Sequence, residues 1–158
     1  MKLFCDEMLI KLGRWLRVAG YDTRIARHGM SDRQLIELAR EENRRLVTRD
    51  RKLMEYRNAA ATVVLLDCQL MDQCLEEVTR KLHINWLIRP FSRCLKCNTL
   101  LIEARNEQYN QLPEDVKNSG SQVCYCPHCR QLFWKGGHVR RMRHRLEYFS
   151  EVFGEHQI

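Results

Sequence analysis

Leu3-Phe4-Cys5-Asp6 places three apolar side chains directly before an aspartate near the start of the chain. The arrangement recurs where Leu46-Val47-Thr48 leads to Asp50, and where Val63-Val64-Leu65-Leu66 leads to Asp67. Short apolar runs of this kind are typical of buried parallel strands. Because parallel strands end at the same edge of a sheet, we expect these carboxylates to meet there, where ligands bind in open α/β sheets.

Helix-like segments alternate with these strands over residues 1–83, which predicts a parallel α/β sheet with right-handed crossovers. A capping box of Ser31 and Gln34 marks one helix start. The other predicted elements are helices over 7–19, 51–57 and 71–82 and a polar edge strand over 22–26. The first helix is predicted to bury one face and expose a basic stripe on another: Met8, Leu12, Trp15 and Ala19 on the buried face, and Lys11, Arg14 and Arg17 on the stripe.

A second unit is predicted over residues 89–158, after a first unit over residues 1–88, because the alternation stops near Arg89-Pro90. It contains most of the cysteines and a polar stretch from Asn106 to Gln122. A final amphipathic helix is predicted from His138 to Phe153, with a packing stripe of Val139, Met142, Leu146, Phe149 and Phe153.

The chain has 158 residues and a net charge of +7, from 27 Lys and Arg against 20 Asp and Glu. Its apolar runs are much shorter than the roughly 20 residues that span a bilayer, and Asp6 comes too early for a signal peptide. We therefore expect a cytoplasmic protein that does not enter the membrane. The grouped cations favour a nucleic-acid partner, although a mildly basic chain can also be merely soluble.

Two C-x-x-C pairs in the second unit predict a four-sulfur zinc site formed by Cys94, Cys97, Cys126 and Cys129. Four thiolates close the coordination shell, so this zinc is predicted to be structural, in a zinc ribbon. An iron–sulfur cluster or a redox pair is the alternative, and Cys124 is an alternative ligand to Cys126. The remaining cysteines, Cys5, Cys68 and Cys74, are interpreted as small buried hydrophobic residues.

Catalysis is predicted in the first unit, where Asp32 is expected to join Asp6, Asp50 and, less firmly, Asp67. Such carboxylates bind Mg²⁺ or Mn²⁺, which can activate water and neutralise a phosphate. Thr48 is expected to orient water or contact phosphate, and Arg49 to bind phosphate. Taken singly, Asp32 and Asp50 also suit helix starts, and Asp67 suits a turn.

A basic surface is predicted around the start of the final helix, with Trp134 as a stacking partner for a base. Arginines beside an aromatic ring suit single-stranded RNA. The alternatives are a solvated helix face, and a Trp134 that packs the ribbon against the helix. The predicted nucleic-acid contacts are Lys11, Arg14, Arg17, Trp134, Lys135, His138, Arg140, Arg141 and Arg143.

The chain resembles the PIN-like ribonucleases, and more closely the Mut-seven C-terminal RNase domain family, over residues 1–145. The matching segments are Asp6-Glu7-Met8-Leu9, residues 16–22, Ser31-Asp32, Thr48-Arg49-Asp50, Arg93-Cys94-x-x-Cys97-Asn98, Cys126-x-x-Cys129 and residues 133–138. Gly137 departs from the small hydroxyl residue that is more usual there. The resemblance implies a PIN-like domain with a C-terminal zinc ribbon, and a metal-dependent ribonuclease with Asp6, Asp32 and Asp50 as its acidic site.

The sequence therefore predicts a ribonuclease that cleaves single-stranded RNA with Mg²⁺ or Mn²⁺, helped by a structural zinc ribbon. One alternative is a non-catalytic RNA- or ribosome-binding protein, and another is an inactive, toxin-like protein that docks a protein partner through its final helix.

Overall fold

Four parallel strands form the larger sheet, in the order β2-β1-β3-β4. The computed structural model describes residues 1–154 of the chain. The strands are β1 (Lys2–Cys5), β2 (Asp22–Ile25), β3 (Arg45–Thr48) and β4 (Val63–Leu65). Register pairs Phe4 with Leu46 and Leu46 with Val63, so the strand ends lie side by side. The predicted parallel α/β sheet is confirmed.

Three main helices pack on this sheet: α1 (Ile10–Val18) connects β1 to β2, α2 (Asp32–Glu41) connects β2 to β3, and α3 (Met71–Leu82) follows β4. The predicted capping box is present, since the backbone N–H of Gln34 donates to Ser31 Oγ and that of Ser31 donates to Gln34 Oε1. The chain after β3 forms two 3₁₀ turns, Arg51–Glu55 and Ala59–Ala61, in place of the predicted short helix.

Alternate strand residues supply two hydrophobic cores, one on each face of the sheet. Leu3, Cys5, Val47 and Val64 face the core beneath α1 and α3. Phe4, Leu46 and Val63 face the other core, beneath α2. This sandwich of helix, sheet and helix leaves the carboxyl edge of the strands open to loops.

Met8 does not join the buried face of the first helix, contrary to the prediction, because its side chain is 57% exposed. Residues Glu7–Leu9 form a 3₁₀ turn before α1 begins at Ile10. Since a 3₁₀ turn has three residues per turn, it rotates side chains away from the α-helical pattern. Leu9 is buried instead.

The cysteine-rich part contains a three-stranded antiparallel sheet in the order β5-β6-β7. Its strands are β5 (Ile102–Glu103), β6 (Val123–Tyr125) and β7 (Leu132–Trp134). Two short helices, α4 (Asn106–Tyr109) and α5 (Glu114–Asn118), occupy the polar stretch between β5 and β6. A separate small core of Ala104, Leu112, Val116 and Val123 holds this part together.

The final helix α6 (Gly137–Gly154) agrees with the predicted helix to within one residue at each end. Phe149 lies edge-on to Trp15 at 5.1 Å and to Trp86 at 5.4 Å between ring centroids, within the core shared with α1 and α3. The predicted packing stripe is thus confirmed for Leu146, Phe149 and Phe153.

The predicted second unit extends to residue 158, so its last four residues lie outside the described part. Among the described residues, the helices are all too short or too polar to span a membrane.

Cys68 and Cys74 form a disulfide, which the sequence interpretation missed. Cys68 follows β4 and Cys74 lies in the first turn of α3, with Cα atoms 5.2 Å apart. Reading them as separate buried hydrophobic residues was wrong, because the loop 69–73 folds back and brings the two sulfurs together.

Reduction of this disulfide should lower the free energy of unfolding by about 2 kcal/mol, because a short closed loop restricts the unfolded chain by roughly that amount. Urea unfolding with and without a phosphine reductant measures the difference. The double variant Cys68→Ser/Cys74→Ser is the control, and its unfolding midpoint should not respond to the reductant. An identical midpoint for the parent protein under both conditions would contradict the crosslink.

Candidate active site and metal centre

Asp6 lies at the carboxyl end of β1 and is 5% exposed. Its carboxylate accepts hydrogen bonds from the hydroxyl of Thr48 and from the backbone N–H of Met8, the latter at 2.9 Å. The backbone N–H of Arg49 donates to it as well. Parallel pairing of β1 with β3 places Thr48 and Arg49 beside this carboxylate. Three donors therefore hold a nearly buried acid at the edge of the sheet.

Burial raises the pKa of the Asp6 carboxyl above its ordinary value of 3.8, and the Thr48, Met8 and Arg49 hydrogen bonds only partly oppose this. The positive charge of Arg49 also opposes the shift. Burial of a carboxylate lowers the stability of the folded protein, so a buried acid is not expected at a position with a merely structural role. A perturbed acid at the carboxyl edge of a parallel sheet is typical of a functional site.

Asp50 is connected to Asp6 through one side chain, because the Thr48 hydroxyl donates to Asp6 and accepts from the backbone N–H of Asp50 at 2.9 Å. The Asp50 carboxylate also accepts from the backbone N–H of Lys52 at 2.9 Å. It therefore caps the 3₁₀ turn that follows β3, as expected for an aspartate at the start of a helix. The structure brings Asp6, Thr48 and Asp50 into one hydrogen-bonded chain.

Asp32 and Asp67 occupy different positions from this chain of hydrogen bonds. Asp32 is half-buried in the first turn of α2. The Asp67 side chain is 82% exposed and lies 3.4 Å from the guanidinium of Arg51. Within residues 1–154, no three acids come as close together as the cysteine group described below. The structure thus links the Asp6 carboxylate, through Thr48, to the backbone N–H of Asp50, and it describes no contact of Asp32 or Asp67 with either residue.

Arg49 is the cation nearest to the acidic edge. Its Nη1 donates to the carbonyl oxygen of Cys68 at 3.0 Å, while its buried Nε has no hydrogen-bond partner among the described residues. A buried N–H without an acceptor is costly, so a site of this kind is suited to an incoming anion. The side chain also lines a cavity beside Asp6.

Four cysteine sulfurs come together in the ribbon, all within 4.8 Å of one another: Cys94, Cys97, Cys126 and Cys129. The two C-x-x-C segments have the same backbone form. Asn98 and Arg130, which follow the second cysteine of each pair, have positive φ and donate to the carbonyls of Cys94 and Cys126 at 2.9 and 2.8 Å. Two matching turns thus point four sulfurs at one centre. This donor set fits tetrahedral zinc.

Cys124 is not part of this group, and it lies on β6 opposite Phe133. The predicted ligand Cys126 is buried, and its sulfur lies 3.5 Å from that of Cys97. All four ligands are free thiols. Burial would raise the pKa of Cys97, but hydrogen bonds with Thr99 outweigh it and lower the pKa to about 6. A thiolate is therefore accessible near neutral pH, as metal binding requires.

Arg17 attaches the first C-x-x-C turn to the parallel-sheet part, and its burial contradicts its predicted place on an exposed basic stripe. It is 6% exposed. Its Nη1 donates to the carbonyls of Leu95 and Lys96 at 2.7 and 2.9 Å, and its Nε donates to that of Thr23 at 2.8 Å. These bonds commit three of the five guanidinium N–H donors to carbonyls inside the protein, and the side chain is buried away from the surface.

Asn98 adds a second attachment between the turn and the edge strand β2. Its side chain accepts from the backbone N–H of Thr23 at 3.0 Å and donates to the Asp22 carboxylate at 2.7 Å. Asp22 also pairs with Arg44 at 2.7 Å. The ribbon therefore covers the otherwise open edge of the parallel sheet.

The predicted basic surface is exposed at the start of α6. Arg140 and Arg141 line a shallow depression of about 520 Å³ with His144 and Arg145. The Arg143 guanidinium lies 5.2 Å from the centre of the Phe91 ring. The remaining predicted contacts Lys11, Arg14, Lys135 and His138 are exposed. Trp134 is half-buried and packs against the ribbon's own core.

Comparison with known proteins identifies the family. The sequence profile of the Mut7-C RNAse domain matches residues 1–146, nearly the whole described chain. The chain belongs to the Mut7-C RNase domain family. The expected resemblance is therefore confirmed, and the parallel sheet followed by a cysteine ribbon is the architecture of this family member.

A curated relative of this Mut7-C chain is the human protein described as an exonuclease mut-7 homolog. The two are 29% identical over 142 residues, which cover 87% of this chain and 14% of the human protein. The chain thus spans a small part of the length of that relative. No solved structure matches the chain.

Sequence reasoning missed three features of the Mut7-C site. The exposed Met8 and the buried Arg17 were assigned by helical periodicity alone, which gives no signal for long-range bonds to carbonyls. The unpartnered Nε of Arg49 depends on burial, which the sequence does not state. The Glu7 carboxylate lies 3.0 Å from His28, a contact between two loops that no local pattern predicts.

Loss of one sulfur ligand should remove zinc from the protein, because three thiolates and a hydroxyl bind zinc much more weakly than four thiolates. Zinc content after dialysis, measured by mass spectrometry, should be one ion per chain for the parent and close to none for Cys97→Ser. Cys124→Ser is the matched control and should keep its zinc. Metal loss in Cys124→Ser with retention in Cys97→Ser would contradict the assigned ligands.

Arg17→Met should destabilise the protein by about 3 kcal/mol, because buried carbonyls lose charged donors. Arg14→Met is the matched control on the same helix, and its exposed side chain should change the free energy of unfolding by less than about 0.5 kcal/mol. Urea unfolding of both variants measures the difference. Equal stabilities would show that the Arg17 bonds do not hold the ribbon in place.

Proposed function

We propose that this protein is a metal-dependent ribonuclease that hydrolyses phosphodiester bonds of single-stranded RNA. The observation that carries the proposal is the nearly buried carboxylate of Asp6, held by Thr48 and two backbone donors at the ligand-binding edge of the sheet. Membership of an RNase domain family and a relative described as an exonuclease support a nuclease.

The acidic edge has the donor chemistry for Mg²⁺ or Mn²⁺. Magnesium usually takes one or two carboxylates and completes its shell with water, so Asp6 and Asp50 suffice without a cluster of three. Asp32, at the start of α2, is proposed as the third carboxylate. Asp67 is the least favoured metal ligand, because its side chain faces solvent. Such an ion would activate a water molecule and neutralise charge on the phosphate.

The protein's own groups would prepare this site for the ion. The Thr48 hydroxyl donates to one oxygen of Asp6 and fixes the direction of the other lone pairs. Arg49 offers an unpaired guanidinium N–H for a phosphate oxygen of the strand. Burial keeps water away from the carboxylate and strengthens each of these interactions.

The ribbon and the start of α6 would hold the RNA strand. Among the described residues, Arg140, Arg141 and Arg143 have no carboxylate partner. Unpaired arginines are free to bind phosphates of a flexible strand. The zinc is proposed to be structural and to support binding indirectly, by fixing the ribbon that leads into α6.

A non-catalytic RNA- or ribosome-binding protein is the second candidate. The observation that favours it is the carboxylate of Asp50, which already caps the 3₁₀ turn through Lys52, so it has a structural reason to be present. This candidate keeps the basic surface and gives the acids no chemistry. It predicts RNA binding without metal-dependent products.

Asp6→Asn should reduce Mn²⁺-dependent cleavage of labelled single-stranded RNA by about 100-fold or more, because loss of one charge-stabilising group in an active site commonly costs that much. RNA affinity should be nearly unchanged. Asp115→Asn, a change at an exposed acid on α5, is the control and should cleave like the parent. Equal cleavage by Asp6→Asn and the parent, or no metal-dependent cleavage by either, would support the binding protein instead.

The same variant should be more stable than the parent at neutral pH. The folded-state pKa of Asp6 is raised, so the parent loses stability as pH rises through that pKa, whereas the amide of the variant carries no charge to bury. The difference in free energy of unfolding between the variant and the parent should become smaller as pH falls towards 3.8, where the carboxyl of the unfolded chain is also protonated. Urea unfolding at pH 7 and at pH 4.5 measures it. A variant that is less stable than the parent by the same amount at both pH values would contradict the assigned burial cost.

A further inference from the structure

A cavity of about 370 Å³ opens between the 3₁₀ turn after β1 and the start of α3. It lies directly beside Asp6, because the backbone N–H groups of its lining residues Met8 and Arg49 donate to that carboxylate. Small-molecule sites range from roughly 300 to 1,000 Å³, so this cavity is large enough for one small ligand and too small for a folded nucleic-acid helix.

The lining combines positive charge with exposed apolar surface. Lys11 and Arg49 contribute two cations, against the single carboxylate of Glu7, which lies 3.0 Å from His28 Nδ1. Met8 and Ile10, which are 57% and 38% exposed, and the half-buried Met71 contribute the apolar wall. Large apolar side chains exposed at a polar edge cost free energy unless a ligand covers them.

Arg49 supplies an independent sign that the cavity takes an anion. Its Nη1 is fixed by the carbonyl of Cys68, and Cys74, crosslinked to Cys68, lines the same cavity. The buried Nε has no acceptor in the described part of the protein. A phosphate in the cavity would form a charge-assisted hydrogen bond with the guanidinium, and the accompanying shift of the side chain would release the Nε–H from a place without an acceptor.

We propose that this cavity binds a single nucleotide of the strand, next to the phosphodiester bond that is cut. Its phosphate contacts Arg49 and Lys11, and its base lies against Met8, Ile10 and Met71. The proposal rests on the proposed ribonuclease function for its place in the reaction, since the cavity adjoins Asp6. The ligand class follows from the lining, because a nucleotide joins an anionic group to a flat base with apolar faces.

The apolar wall also predicts how selective this subsite is. Two of the four apolar side chains in the lining, Met8 and Met71 beside Leu9 and Ile10, are methionines, which are unbranched and flexible and adapt to partners of different shape. Base faces are all alike in offering a π surface, whereas base edges differ in their hydrogen-bonding groups. The subsite should therefore accept purines and pyrimidines with similar affinity, with Gln69 the only uncharged polar side chain in the described lining.

Titration of the zinc-loaded full chain with adenosine 5′-monophosphate, followed by calorimetry, tests the subsite. The parent protein without added Mg²⁺ or Mn²⁺ is used as the host, because a monophosphate contains no phosphodiester bond that could be cut. The monophosphate should bind at least 10-fold more tightly than adenosine or inorganic phosphate alone, because it fills both halves of the cavity. Uridine 5′-monophosphate should bind within about threefold of it.

Arg49→Gln and Met8→Ala should each weaken binding of the monophosphate about 10-fold. Met54→Ala is the matched control, since Met54 is a similarly exposed methionine outside the cavity lining. Met8 is exposed, so its replacement tests the subsite even if Arg49→Gln does not fold.

The outcomes separate this inference from the proposed function. The subsite proposal would be overturned if the monophosphate did not bind at millimolar concentration. It would also be overturned if the Met8→Ala, Met54→Ala and host proteins bound it with equal affinity. Both results would hold even if the parent cleaves RNA. Binding that Met8→Ala weakens and Met54→Ala does not would support the subsite. That result stands even if the parent shows no cleavage, an outcome that counts against the ribonuclease proposal alone.

Discussion

The parallel pairing of β1 with β3 is the constraint on which the candidate site depends. The backbone N–H of Asp6 donates to the carbonyl of Val47 at 3.2 Å and so extends the strand pairing to the very edge of the sheet. The next residue of β3 is Thr48, whose hydroxyl then reaches the Asp6 carboxylate. A shift of one residue in register would turn Thr48 to the other face and leave a buried charge without its donor.

The ribbon is built into this arrangement and is not a loose appendage. Arg17 crosses from α1 to the carbonyls of the first C-x-x-C turn, and Asn98 connects the same turn to β2. Helix α6 then returns to the core beside Trp15 and Trp86. Since the four sulfurs set the shape of the turn, a metal bound there would stabilise contacts made by the parallel sheet as well.

Local patterns in the sequence predicted most of the framework. Apolar runs that end at Asp6, Asp50 and Asp67, the Ser31 capping box and the cysteine pairs each depend on neighbouring residues, and each is found as expected, because strand ends, caps and metal turns are decided locally. The failures involve contacts that local sequence patterns do not report. The burial of Arg17, the Cys68–Cys74 bond and the separation of Asp67 from Asp6 depend on how loops return to the sheet, which periodicity does not report.

We propose that Asp6 is a buried carboxylate whose ionised form is destabilised by burial and is stabilised by a divalent cation. A carbon-detected NMR titration of the Asp6 side chain, with and without Mg²⁺, measures this directly. We predict a pKa above 3.8 in the absence of metal and a lower pKa when Mg²⁺ is present, since the cation favours the ionised form. A pKa at or below 3.8 that does not change on addition of Mg²⁺ would contradict the account.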